Sequence, residues 1–459
     1  MASLCTSNVT SGFIDLATYD ELEKYLYGGP DATAYFVRET RKATWFTQVP
    51  VVLSRASGNP GFDTEFSVSI SRAGDYLLST WLRLTTPKVT ANVDNNPNLA
   101  IRWTRNFMHN IIREACITFN DLVAARFDNY HLDFWTAFTV PASKRCGYNN
   151  MIGNFPELTN HKQTLESFTL NLPLPFFYSR DSGVALPTAA LPYNDMRINF
   201  SLRKWEELLI VEENPGVQGQ DPGSRPASDA DIIEKNLQLS NVQVWANYAI
   251  VSNDERKRMA CAPRDILIEQ VQTAPKQTFC PHTDACPRYD IRFSHAIKVL
   301  FFGVRNTTVS SSWSNYTSAQ AEITANEVNY DANGLTDPIL STSLIYENTN
   351  RLSGMGSDYY SLVNPWYHAP AIPLETGYHM YSYSLDFICL DPMGSTNYGK
   401  LTNVSIVPEA SPDARKFAAP NASYPEQHVF KAQTYDFITT AVNNNIIRIS
   451  GGALGFPVL

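Results

Sequence analysis

The heptad Cys280-Pro-His-Thr-Asp-Ala-Cys286 holds the densest set of metal-ligand types in this 459-residue sequence: two thiols with an imidazole and a carboxylate between them. A structural zinc site takes four such ligands at knuckle-like spacings. This spacing matches no common knuckle and no second ligand pair is nearby, so the heptad reads as an ordinary loop. Asp128, His131 and Asp133 are a second cluster. Asp128 and His131, three apart, meet on one helical face, whereas Asp133 points elsewhere, and a structural role is the stronger reading. A glycoside hydrolase needs two carboxylates roughly 5–10 Å apart. Asp121 with Glu166, or Asp386 with Asp391, can be paired by type, but nothing in the sequence sets them face to face. His295 follows a strand end and reads as a corner residue. No Gly-x-Ser-x-Gly elbow, phosphate loop, dinucleotide-binding turn or His-Glu-x-x-His helix occurs. The chain is therefore read as a non-enzyme without cofactor or metal. The alternative is a β-sandwich glycan-binding or glycoside-hydrolase protein, with Trp313 and Tyr316 of the 307–338 loop as the sugar-facing aromatics.

Such side chains need elements to carry them, and composition bounds what those elements are. Charged residues make up 18% and aromatics 12%, with 28 Pro and 22 Gly, a balance that suggests an all-β protein with much surface buried against partners. A net charge of −9 argues against direct packaging of nucleic acid, which needs a basic stripe to displace counterions. No apolar run approaches the roughly 20 residues that span a bilayer; the longest, Ala296 to Val304, contains Lys298 and fits a strand. No secretory signal is visible, and seven scattered cysteines form no disulfide framework, so the chain is expected to be made and kept in the cytosol. The six Asn-x-Ser/Thr sequons are accordingly read as chance occurrences.

Periodicity supplies the strands. Thr18 and Glu21 are spaced as a capping box for a short helix ended by Gly28-Gly29-Pro30. Aromatic and β-branched residues from Tyr35 to Val52 suggest a first strand, and Phe66, Val68 and Ile70 followed by Tyr76 to Leu84 suggest a hairpin. From Leu122 to Phe138 the period shifts toward 3.6, predicting a helical insertion. Tyr359–Val363 and Tyr378–Phe387 are expected strands. Glu212 to Asp231 is acidic and rich in Pro and Gly, an exposed mobile loop. The second half then repeats the first: apolar residue, Ser, basic residue, Ala recurs, with Ser71 and Ser294 standing 223 residues apart, about half the chain. Between Asn171 and Arg203 the apolar run Val184–Leu191 is too hydrophobic for a solvated loop, which places Val184, Leu186 and Leu191 at an interface between copies. The apolar tail Gly455–Leu459 is expected to be docked for the same reason.

These stretches also carry a resemblance. Phe176–Ile198 (FFYSRDSGVALPTAALPYNDMRI), Thr10–Gly29, Ser71–Leu78 (SRAGDYLL), Phe293–Phe302, Gly394–Ser405 and Asn443–Ile449 resemble motifs of the major capsid proteins of iridoviruses and related large double-stranded DNA viruses. Together with the internal echo, the resemblance implies two tandem antiparallel eight-stranded jelly rolls, a double jelly roll with long loops and short helical insertions. The expected organisation is an amino-terminal arm over 1–30, a first roll over 31–252 including the 212–235 loop, a connector over 253–263 and a second roll over 264–459. Three chains in a ring would present six similar wedges, so the expected partner is the chain itself, as homotrimers and then trimer to trimer. The resemblance alone adds minor capsid proteins, an internal viral membrane reached through the arm, and a place in the virion capsid after assembly in the host cytoplasm.

Overall fold

The computed structural model describes residues 2–320 and 337–457, in two compact units, Met1–Trp45 and Phe46–Leu459. The rest of the expected 307–338 loop, residues 321–336, and the last two residues of the tail lie outside the described residues.

The first unit holds helices Ala2–Ala17 and Glu21–Tyr27. Its capping box lies two residues beyond the expected pair. The Thr18 hydroxyl donates backwards to the Asp15 carbonyl at 2.6 Å and closes the first helix. Asp20 then opens the second, accepting from the Glu21 amide at 2.9 Å while the Glu23 carboxylate accepts from the Asp20 amide at 3.2 Å. The Tyr35–Trp45 stretch, expected to begin a strand, has none; the strand starts at Phe46.

In the second unit two pairs of sheets repeat one plan. The first pair sets Phe46–Val52, Ser240–Val251, Tyr76–Thr85 and Thr169–Pro173 side by side, opposite Arg55–Ser57, Glu65–Ser69, Met196–Leu202, Ile112–Phe119 and Leu122–Phe127. The second pair sets Arg264–Thr273, Tyr435–Ser450, Ala296–Asn306 and His379–Ser382 in one sheet, and Tyr289–Asp290, Val404–Ala410, Ile339–Tyr346 and Thr349–Gly356 in the other. These pairings are antiparallel. In each half the first and last long strands are neighbours, and the strand that leaves the Ser71 or Ser294 corner, Tyr76–Thr85 or Ala296–Asn306, lies on the other side of the last, which is the strand order of a jelly roll. The architecture is a double jelly roll.

Alternation explains most of the first roll. Met196–Leu202 buries Met196, Ile198, Phe200 and Leu202 and half-exposes the residues between them, as a strand with one face on a core must. The expected hairpin over 66–84 is not one. Glu65–Ser69 and Tyr76–Thr85 belong to opposite sheets, and the Ser71–Asp75 corner carries the chain between them. A hairpin and a sheet-switching corner share the same alternation, so periodicity does not separate them. The expected Leu122–Phe138 helix divides: Leu122–Phe127 is a strand returning through the tight Asn120-Asp121 turn, where both residues have positive φ, and only Asn129–Thr139 is helical. Tyr359–Val363 is a π-turn of helix rather than a strand, and the Tyr378–Phe387 strand shortens to His379–Ser382.

The acidic Glu212–Asp231 stretch is partly pinned. Leu209–Glu212 pairs with Ala100–Trp103 and with Arg225–Pro226. The Arg225 guanidinium donates to both Asp231 oxygens at 2.7 and 2.8 Å, and Ser228 donates to the same carboxylate through its amide and hydroxyl. Burial pulls the Asp231 carboxyl up, but the hydrogen bonds from Arg225 and Ser228 outweigh it and hold the group at about 2, below its ordinary 3.8. The sign follows: the clamp is at full strength above pH 3.8 and is lost as pH falls through about 2. Asp231→Asn at neutral pH reproduces the acid state, and amide hydrogen exchange across 213–231 is expected to accelerate while the sheet strands keep their protection.

Candidate assembly surfaces

The Ser71–Asp75 corner gathers three of the motifs singled out in the sequence. The Arg72 guanidinium donates to the Leu191 carbonyl at 2.7 Å and the Asn194 carbonyl at 2.6 Å, tying down the end of the 184–195 segment. The Thr188 hydroxyl donates to the Gly74 carbonyl, and Leu77 and Leu186 exchange backbone hydrogen bonds. Asp75 accepts from Arg256 at 2.8 and 3.0 Å and from the Val251 amide at 2.9 Å, which fixes the helix Asn253–Cys261 to the same corner. A side chain at position 74 would collide with Tyr248, so the corner needs glycine. The tail closes over this region: Ala453–Gly455 adds to Tyr435–Ser450, Leu454 and Phe456 pack against the first core, and the Leu454 amide donates to Asn194.

This changes the place of the expected interface residues. Val184 is 8%, Leu186 1% and Leu191 0% exposed, all inside the first roll's core cluster. The apolarity of Val184–Leu191 is satisfied within the chain, because two short 3-10 turns, Ser182–Val184 and Thr188–Ala190, fold the segment back over the Tyr76–Thr85 strand. Sequence shows that such a run must be covered, not by what.

The seam between the rolls joins an aromatic cluster to buried ion pairs, and the sequence carries no local signal for it. Helix Asn129–Thr139 of the first roll packs Phe134, Trp135 and Phe138 around Phe301 of the second. At its centre the buried Asp133 carboxylate faces His109 Nδ1 at 2.8 Å and accepts from Tyr316 at 3.0 Å and Ser314 at 3.1 Å. His109 Nε2 lies 2.6 Å from the Tyr148 hydroxyl. Beside it, Glu269 takes Lys298 on one oxygen at 2.5 Å and Arg180 on the other at 2.9 Å, and Arg180 lies over Trp135. Trp313 is sandwiched between Arg203 of the first roll and Arg305 of the second, at 3.8 and 4.0 Å from its ring centre. Its indole N–H donates to the Glu207 carbonyl. Trp313 and Tyr316, expected as sugar-facing aromatics, are seam residues, and Tyr316 is fully buried.

The candidate chemical groups are not assembled into a site. Among the described residues no cluster of His, Cys, Asp and Glu can hold a metal. Cys280 and Cys286 are exposed free thiols, and Asp284 is turned onto the Cys286 amide. Asp128 caps the seam helix by accepting from the His131 amide, and burial holds His131 down at about 3, neutral throughout the physiological range. His295 is a corner residue with positive φ. Asp121 sits in its tight turn while Glu166 pairs with Lys88. Asp386 accepts from the Ile388 amide and Asp391 lies near the Cys389 thiol.

Comparison with known proteins points the same way. Residues 34–251 match the family model "Major capsid protein N-terminus" and residues 255–455 match "Large eukaryotic DNA virus major capsid protein". The chain is 64% identical to the major capsid protein of Costelytra zealandica iridescent virus and 62% to that of Invertebrate iridescent virus 6, with both members of each pair covered over 100% of their length. Among solved structures it is similar to PBCV-1 VP54 fitted into a reconstruction of the virophage Sputnik (TM-score 0.73, 19% identity, 93% of this chain and 100% of that one). It is also similar to the Faustovirus major capsid protein (TM-score 0.68, 12% identity, 94% of each).

Two substitutions check these placements. Leu191→Asp puts a carboxylate into a closed apolar core and is expected to cost about 3 kcal/mol or more, seen as loss of soluble folded protein. Asp133→Ala strands buried donors from His109, Ser314 and Tyr316. It is expected to lower the thermal midpoint by on the order of 5–10 °C and to expose the 307–320 loop to protease.

Proposed function

Since this chain belongs to the major capsid protein family of the large eukaryotic DNA viruses, in its iridovirus group, and is a structural component of the virion shell rather than an enzyme, we propose that three copies close into a ring that tiles the shell as a pseudo-hexagonal capsomer. The observation that carries this reading is that both halves share one strand order and are locked along a buried seam. A ring of three such blocks offers six equivalent wedges, whereas three single rolls would fill only half of a hexagon. The work of the protein is mechanical: close contacts within the ring and weaker contacts between rings, which let misplaced rings dissociate during assembly.

The domain boundaries belong to the same reading: arm to about residue 30, rolls over 31–252 and 264–459, connector over 253–263. Support comes from the sheets, each of which, among the described residues, draws its strands from residues 46–251 alone or from 264–455 alone. Further partners are proposed with it: minor capsid proteins, and an internal viral membrane met by the arm, whose Phe13, Leu22, Tyr25 and Leu26 are exposed apolar side chains. Assembly in the host cytoplasm agrees with free rather than paired cysteines among the described residues. A net charge of −9 leaves direct nucleic-acid contact out of the proposal.

Native mass spectrometry of the purified full chain tests the reading. Trimers that persist on dilution are the expected result; a monomer at micromolar concentration would overturn it.

A further inference from the structure

The second roll carries an apolar surface that the fold does not use. Helix Asn364–His368 projects Trp366, 71% exposed, and Tyr367, 74% exposed, with Leu374 and Leu385 beside them at 65% and 71%. Their positions are fixed from below: the His368 ring bonds the Leu385 carbonyl at 3.0 Å, and the Ala371 amide donates to Phe138 at the end of the seam helix at 3.2 Å. Next to the projecting rings runs a cleft of about 430 Å³ lined by Ala137, Val140 and Arg145 of the first roll and by Pro370 and Ile372 of the second, with Trp366 and Leu374 of the ridge forming its near wall. From Val363 to Leu374 there is no Asp, Glu, Lys or Arg.

We propose that this ridge and cleft are the central contact between neighbouring copies of the chain in the capsomer; the inference rests on the ring proposed above. Three features commit it to a second copy. The two rings and two leucines present on the order of 400–500 Å², the size of a functional patch and about half of what one partner buries in a stable interface. The composition of the ridge is that of an interface core, aromatic and uncharged, rather than of a charged rim. Finally, ridge and cleft are adjacent and mostly apolar, so the ridge of one copy can enter the cleft of the next head to tail, a heterologous contact that threefold rotation closes with every ridge and every cleft filled. The cleft has walls from both rolls, so only the locked double roll presents it.

The test is Trp366→Ala/Tyr367→Ala in the full chain, with wild type alongside, read by native mass spectrometry and circular dichroism. Both side chains are exposed, so the fold is expected to be kept while the apparent dissociation constant of the trimer rises at least tenfold, as for paired aromatic hot spots. A folded variant that trimerises like wild type would overturn the placement and leave the ring standing, whereas a monomeric wild type would overturn both. Should the variant fail to fold, hydroxyl-radical labelling of wild-type trimers decides: Trp366 and Tyr367 protected like the core residue Trp103 support the contact, and labelling at the rate of free side chains refutes it.

Discussion

The strand Ala296–Asn306 is buried from Ile297 to its end, and the rest of the molecule is arranged around the need to cover both of its faces. Ile297, Leu300, Phe302 and Val304 face the second roll's own core, while Val299 and Phe301 face the helix Asn129–Thr139 of the first. A jelly-roll strand ordinarily shows one face to a core and the other to water or a loop. Here the second face is aromatic, so the second roll standing alone would present a wet patch of Phe301, Met380 and Phe387. The two rolls are therefore one folding problem.

Shape and charge divide the work at that seam. The aromatic cluster supplies most of the favourable burial but little register, since apolar rings tolerate sliding and repacking. The buried polar groups remove that freedom. A bulge between Ile297 and Val299 re-aims Lys298 toward Glu269, whose other oxygen waits for Arg180 from the first roll. Any displacement that parts these three leaves a buried charge unpaired, at a cost of about 3–5 kcal/mol, so one relative placement of the rolls is strongly preferred. The Asp133 network repeats the device a few residues away, with donors from both halves converging on one carboxylate.

How much of this the sequence discloses depends on whether a signal is local. The strands of the first roll were legible where one face meets a core, as in Met196–Leu202, whose burial alternates residue by residue. The internal echo at Ser71 and Ser294 was legible because both copies cross between sheets at the same point of the plan. What failed to show is what depends on distant partners. Val184–Leu191 demanded cover, and whether its own chain or another supplied it turned on Arg72, more than a hundred residues away. Asp128, His131 and Asp133 were read as structural, but the partners of Asp133 could not be named, because the donors it accepts from, Ser314 and Tyr316, lie in the other half of the chain. Trp313 looked like a surface aromatic because its two cationic neighbours lie in different halves of the chain.

Rigidity at the seam also sets what the outer surfaces must do. If the two rolls could hinge, a contact on one would adapt to its neighbour, and ring closure would be fixed only loosely by either. With the angle between rolls set by buried charge, a modest contact that spans both rolls, as in the proposed ring, would transmit its geometry to the whole block, and closure would follow from placement rather than from large contact area. In the proposed assembly a shell unit would benefit from that arrangement, because weak outer contacts could break and re-form while each block keeps its shape. The costly, unpaired-charge interactions therefore belong inside the chain, where they are made once on folding, and the apolar, forgiving ones outside, where they must be made many times.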